Sequence, residues 1–160
     1  MNDFIKIPEK RKGVLIGKDG SVKKELEKLT KTKIEVDEDI VIEGESLNVI
    51  KAKDIIKAIG RGFSPEKAFK LLDDQYQLVV ISLGNETEKT MKRLLSRVIG
   101  RKGLCKRRIE MRTRTDISIY GKTISIIGNW KDVEKAEKAI EMVLGGKPHS
   151  YVYKFLEENQ

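Results

Sequence analysis

Ile99-Gly100-Arg101-Lys102-Gly103 carries, 83 positions further along the chain, the pattern of Ile16-Gly17-Lys18-Asp19-Gly20. The correspondence spreads outward from both glycine pairs. Leu26-Glu27 falls on Ile109-Glu110, Thr30-Lys31-Thr32 on Thr113-Arg114-Thr115, and Ile34-Glu35-Val36 on Ile117-Ser118-Ile119. After one extra residue in the second stretch, Ile42-Glu43-Gly44 falls on Ile126-Ile127-Gly128. One Gly-x-x-Gly is weak evidence. Two in a shared frame describe a duplicated domain with a duplicated task.

A chain of 160 residues fits two small domains, in agreement with the repeat. Charged residues make up 36% and the net charge is +8, which points to a polyanionic partner. No apolar run reaches the ~18 residues of a membrane span. The opening Met1-Asn2-Asp3-Phe4-Ile5-Lys6 lacks the apolar stretch of a secretory leader. Cys105 is the only cysteine, which excludes an intramolecular disulfide and a thiolate zinc site. The expectation is a soluble, cytoplasmic protein without cofactor or metal.

The charge is unevenly placed. Residues 1–76 hold 16 Lys and Arg against 15 Asp and Glu, whereas residues 77–160 hold 17 against 10. Lys92 to Arg114 contains ten basic residues and one acid, Glu110. A charge run alone can be a solvated helix face. This run straddles a glycine loop and lacks compensating acids, which favours a phosphate-backbone footprint in the second copy.

Periodicity places the elements in the same order twice. Alternation at Phe4–Pro8 predicts a strand, and Glu9–Ile16 a brief helical turn before the loop. Val22, Leu26 and Leu29 give the next helix an apolar stripe. Lys33–Val36 and Asp39–Glu43 read as strands joined by an acidic turn, and Val49, Ala52, Ile56 and Ile59 mark a closing helix. The second copy gives a strand at Leu78–Leu83, a helix with Met91, Leu94, Leu95, Val98 and Ile99 on one face, then the loop and a helix at Leu104–Met111. Strands at Asp116–Tyr120 and Thr123–Ile127 follow, then a helix with Val133, Ala136, Ile140, Val143 and Leu144. Asn129 is placed to cap that helix, with Asp132 in a capping-box position. These readings divide the chain into a first domain at 1–60, a connector at 61–75, a second domain at 76–146 and a tail at 147–160. In the connector Ser64 caps and Pro65 starts a helix at Glu66–Leu72. Its Phe63, Phe69, Leu71 and Leu72 are expected to pack the domains into one rigid body. The tail, with Tyr151, Val152, Tyr153, Phe155 and Leu156, either docks back or meets a partner.

Gly-x-x-Gly at a helix–helix junction suits a sugar-phosphate chain. Glycines let backbone and ligand approach closely at positive φ, and the amides opening the next helix face the phosphates with the helix dipole behind them. Basic middle residues add attraction, and an adjoining apolar groove can hold unstacked bases. That is the KH arrangement, whose GXXG loop clamps about four single-stranded nucleotides. With Ile-Gly-x-x-Gly at the junction, both copies resemble a type I KH domain, so the fold class expected is α+β, two tandem type I KH domains joined by a short helical connector. The expected RNA-binding residues are Ile16, Gly17, Lys18, Asp19, Gly20 and Ser21 in the first copy and Ile99, Gly100, Arg101, Lys102, Gly103 and Leu104 in the second. Arg97, Lys106, Arg107 and Arg114 flank the second set.

Ser96 through Gly103, Lys106-Arg107-Arg108-Ile109-Glu110, Thr113-Arg114-Thr115 and Ile126-Ile127-Gly128 resemble the partner-of-Nob family of small-ribosomal-subunit assembly factors. Gly62-Phe63-Ser64-Pro65-Glu66-Lys67-Ala68 and Gly146-Lys147-Pro148-His149-Ser150-Tyr151-Val152-Tyr153 match that family's pattern too, so the resemblance covers nearly the whole chain. The short N-terminus looks like the compact archaeal form. The resemblance implies a non-catalytic factor that binds single-stranded RNA near the 3′ end of small-subunit ribosomal RNA. It implies work beside the Nob endonuclease and contact with the alpha subunit of archaeal translation initiation factor two. Asp19 departs from the preferred basic pair. The second copy is therefore expected to hold RNA while the first assists or serves a protein partner.

Other chemistries fit less well. Gly13-Val14-Leu15-Ile16-Gly17-Lys18 has three residues between its glycines where a P-loop has four, and Asp19 stands where that loop needs Ser or Thr. Asp37, Glu38 and Asp39 read as solvated turn residues rather than catalytic carboxylates. His149 reads as a lone surface histidine, Cys105 as a small core residue at the position of Val22, and Trp130 as packing rather than base stacking. With few aromatics near either loop, bases would be met by aliphatic contacts and hydrogen bonds. A protein-binding scaffold that has lost RNA affinity and a binder of single-stranded DNA are the competing readings.

Overall fold

The computed structural model describes residues 1–159. The chain forms two compact units, one from Met1 to Asp74 and one beginning at Gln75.

In the first unit β1 (Asn2–Ile5) leads through α1 (Glu9–Ile16) and the glycine loop into α2 (Ser21–Thr30), followed by β2 (Lys33–Val36), β3 (Ile40–Glu43) and α3 (Ser46–Gly60). The sheet is antiparallel in the order β1-β3-β2, with Phe4 opposite Val41 and Ile34 opposite Ile42. Apolar residues alternate on β3, so Ile40 and Ile42 face inward against Val49, Ala52, Ile56 and Ile59 of α3, all fully buried. Burying each such Ile or Val contributes about 1.5–3 kcal/mol. Ser64 Oγ accepts from Lys67 N at 3.3 Å and caps α4 (Pro65–Ala68), whose last turn tightens to a 3₁₀ turn over Phe69–Leu72. Both pack against α3, and Lys51 Nζ ties α3 to the Leu72 carbonyl at 2.9 Å and to the Asp74 carboxylate.

The second unit repeats this with longer strands. β4 (Tyr76–Ser82), α5 (Glu88–Ile99), the loop, α6 (Leu104–Thr113), β5 (Asp116–Tyr120), β6 (Thr123–Asn129) and α7 (Trp130–Leu144) follow in turn. The sheet order is β4-β6-β5. One further helix, α8 (His149–Glu158), packs on α6 and α7 with Val152 and Leu156 buried.

Several sequence expectations need correction. The first strand runs over Asn2–Ile5 rather than residues 4–8, because Pro8 has no amide for a ladder and instead stands at the N-cap of α1. Leu29 is 47% exposed, and Thr30 takes the inward place expected of it. Its hydroxyl donates to the Leu26 carbonyl at 2.7 Å and pairs with Thr32 at 2.7 Å. Asn129 caps α7 by accepting from Lys131 N at 3.1 Å, one residue short of the capping-box geometry. Trp130 packs only in part: half of it is exposed, with the Lys131 ammonium 5.5 Å above its ring.

Candidate nucleic-acid interface

Each loop is built by the helices on either side of it. At Gly17 the backbone takes φ 74, ψ 176, and at Gly100 φ 75, ψ 175. That region belongs almost solely to glycine and costs other residues about 1–3 kcal/mol. Packing makes the demand absolute. A Cβ on Gly17 would lie 2.4 Å from Val22 Cγ2, and one on Gly100 would lie 2.7 Å from Cys105 Cβ. The amides of Gly17 and Gly100 end the preceding helix by donating to Gly13 and Ser96 at 2.9 Å. Asp19 and Lys102 then turn left-handed (φ 56 and 54), as do Gly20 and Gly103 (φ 76 and 75), before α2 and α6 begin. A Cβ on Gly103 would meet nothing within 4 Å. Within the protein, then, only φ constrains the second glycine, and the space over it is open to a ligand.

The middle residues Lys18, Asp19, Arg101 and Lys102 are all exposed. Among the described residues the side chains of Arg101, Lys102 and Arg107 enter no ion pair and are available to an external anion. Beside each loop sits a half-exposed isoleucine. Ile16 and Ile99 are each 36% accessible, and Leu104, where the first copy has Ser21, is 42% accessible. In the first unit Ile16, Val36, Glu9, Lys12, Asp37 and Glu38 line a cleft of about 540 Å³. Lys12 is held there by Glu9 at 2.7 Å and by the Glu38 carbonyl at 3.1 Å, so this cleft carries acidic character.

Not every expected residue gathers at the loop. Lys106 is 3.3 Å from Glu110, whose other oxygen accepts from Ile117 N at 2.9 Å. Lys23, Glu27 and Ile34 repeat this clamp at 3.4 and 2.8 Å. Arg114 follows the C-terminus of α6, a ten-residue helix, so about 15 Å of helix separates it from the loop. Its left-handed conformation (φ 59) matches that of Lys31 (φ 55). Arg97 is turned to the rear, where its guanidinium donates to the Lys147 carbonyl at 2.6 Å.

Sequence reasoning missed a support behind the second loop. His149, read as a free surface residue, is partly buried with Nε2 2.9 Å from the Arg97 carbonyl, and its ring lies 6.0 Å from that of Tyr153. The Arg108 guanidinium sits 4.4 Å over the Tyr153 ring. Cys105 is fully buried beneath Gly100. Burial pushes its thiol pKa up, against the pull of a Tyr153 hydrogen bond and the Arg97 charge. The apolar spacing of 151–156 was the available signal, and it left open what the helix docks on.

A three-stranded antiparallel sheet under three helices, with Gly-x-x-Gly between the first two, defines a KH domain of type I, and the chain holds it twice. Residues 77–160 match the family model described as eukaryotic type KH-domain (KH-domain type I), and residues 2–58 match the KH domain model. A KH domain-containing protein of Methanocaldococcus jannaschii is 44% identical over 167 residues, covering 99% of this chain and 74% of that protein. The pre-rRNA-processing protein pno1 of Aspergillus fumigatus is 32% identical over 111 residues, covering 64% of this chain and 43% of that protein. The crystal structure of Dim2p from Pyrococcus horikoshii matches with a TM-score of 0.93 at 44% identity, covering 99% of both chains. A chain of the a/eIF2alpha–aDim2p–rRNA complex from the same organism matches with a TM-score of 0.91 at 44% identity, covering 99% of this chain and 93% of that one. The chain belongs to the type I KH family, in the partner-of-Nob branch that includes Pno1 and archaeal Dim2p. No helix among the described residues is long and apolar enough to cross a membrane.

Proposed function

We propose that this protein binds single-stranded RNA at the 3′ region of small-subunit ribosomal RNA and acts in ribosome assembly and pre-rRNA processing. The observation that carries the reading is the second loop: a glycine-fixed turn with Arg101 and Lys102 exposed and unpaired, beside the apolar Ile99 and Leu104. Support comes from the likeness to a chain of an aDim2p complex that includes rRNA. The same likeness favours the alpha subunit of initiation factor two as a partner, and membership of the branch favours work beside the Nob endonuclease. The protein positions RNA and does not cut it, and it acts in the cytoplasm. The RNA-contacting set is Ile99–Leu104 with Arg107, and Ile16–Ser21 forms a weaker contact because Asp19 and the acidic cleft oppose phosphate.

The test is binding of a labelled oligonucleotide matching the 3′ end of small-subunit rRNA, with a scrambled control, to wild type and to Arg101→Asp/Lys102→Asp. Preference for the true sequence that disappears in the variant supports the reading. Equal, weak binding by both proteins refutes it.

A further inference from the structure

Beyond the glycine loop, the second unit carries another basic surface. Two clefts adjoin each other there and share Lys135. One, of about 300 Å³, is lined by Met111, Arg112, Arg114, Asp132 and Lys135. The other, of about 190 Å³, is lined by Lys131, Glu134, Lys135, Lys138, Phe155 and Asn159. With Lys135 common to both, the two clefts gather residues from the C-terminal end of α6, from α7 and from α8, and are taken together as a trough.

Five cations face this trough. The acids near it are Asp132, Glu134 and Glu157. Glu134 meets Lys138 at 3.6 Å and Glu157 meets Arg112 at 3.9 Å, both in exposed pairs that contribute little. Arg114 and Lys135 have no side-chain partner among the described residues, and Lys131 only overlies the Trp130 ring. The position of Arg114 is fixed: its backbone is the left-handed cap after α6, and neighbouring Thr115 packs against Gly128 at the entry to α7. The first unit lacks the feature. Its corresponding positions are Leu29, Lys31, Leu47, Lys51 and Asp54, with Leu29 and Leu47 exposed at 47% and 80%.

We infer that this trough is a second RNA contact, one that takes the sugar-phosphate backbone of a base-paired segment flanking the single strand held at the loop. The inference rests on the RNA-binding reading above. The loop that takes the single strand offers its bases the half-exposed Ile99 and Leu104. Here the lining is five cations with Asp132, Glu134 and Asn159, and only Met111 and Phe155 are apolar, a composition that meets phosphates rather than base edges. Arg114, displaced from the loop, thereby acquires a ligand.

The test compares two RNAs, the single-stranded 3′-end oligonucleotide alone and the same oligonucleotide with a hairpin on its 5′ side. Wild type should bind the hairpin-bearing RNA at least about tenfold more tightly, as expected when several further phosphates are neutralised. Lys131→Glu/Lys135→Glu, on the exposed face of α7, should remove that gain while binding the plain oligonucleotide as wild type does. Arg114→Asn, which tolerates the left-handed backbone, should remove part of it. Arg101→Asp/Lys102→Asp should weaken binding of both RNAs. No gain from the hairpin in wild type, or a gain that survives in both trough variants, overturns the inference while leaving the loop reading intact. Failure of the loop variant to change either RNA overturns the loop reading separately.

Discussion

The two glycine loops agree within about two degrees at corresponding positions, 74 against 75 at the first glycine and 56 against 54 at the third residue. Yet one displays Lys18 and Asp19 and the other Arg101 and Lys102. The clamps behind them also correspond, Lys23–Glu27–Ile34 with Lys106–Glu110–Ile117, and so do the threonine pairs Thr30–Thr32 and Thr113–Thr115 at 2.7 and 2.8 Å. What the copies share faces inward and fixes the backbone. The middle residues that distinguish the two loops face water, where they are proposed to set which ligand the backbone can hold. Fold and affinity are therefore separable here, and mutations can show where the separation fails.

The largest difference should come from the outward residues. Arg101→Asp/Lys102→Asp should weaken RNA binding by more than about tenfold and reduce the log-affinity against log-salt slope by about 1.4, the value for two lost single-strand phosphate contacts. Lys18→Asp should cost less than about threefold. Equal losses in the two copies would remove the distinction between them. Next, the first glycine should be intolerant in either copy. Gly17→Ala and Gly100→Ala should each cost about 2–4 kcal/mol from backbone strain and the Val22 or Cys105 clash. Gly103→Ala should cost about 1 kcal/mol. Chemical denaturation followed by hydrogen exchange in each unit would measure these, and similar costs at Gly100 and Gly103 would contradict the packing account.

The clamps should be equivalent. Glu27→Ala and Glu110→Ala should each cost about 1–3 kcal/mol by leaving the Ile34 or Ile117 amide without its acceptor, read as loss of protection at those two amides. A smaller effect belongs to the second copy alone. His149→Ala should lower the stability of that unit by about 1 kcal/mol, and His149→Gln should restore part of it by reaching the Arg97 carbonyl. Smallest of all, Cys105 is fully buried, so it reacts with an alkylating reagent only as the unit opens. Rapid labelling of the folded protein would break the account of the loop's underside.

Much of this was legible because its causes are local. The repeat frame, the helix periodicities and the glycines located both loops and the order of the strands and helices up to α7, while α8 was read only as an apolar tail. Element ends were less legible, since Pro8 and Thr30 act through hydrogen-bonding capacity that an apolar pattern does not register. Glu27, Glu110 and the threonines recur in the repeat, but their bonds reach across the helix–strand junction, and only the fold shows why those types are needed. The placing of Arg97, Arg114 and His149 was illegible for the same reason. Charge and proximity in sequence do not reveal that one guanidinium turns backward to Lys147, that another lies a helix length away, or that an imidazole grips the end of α5 from α8.

The contact beneath the first glycine has a consequence for how this chain can be altered. Val22 and Cys105 fill the same place under the same backbone, and Ser21 and Leu104 open the same helix beside it. Duplication has thus run each copy as a trial substitution of the other, and both trials fold to one loop geometry. Exchanges drawn from within the molecule, Cys105→Val or Leu104→Ser, arrive already compatible with the backbone that must accept them.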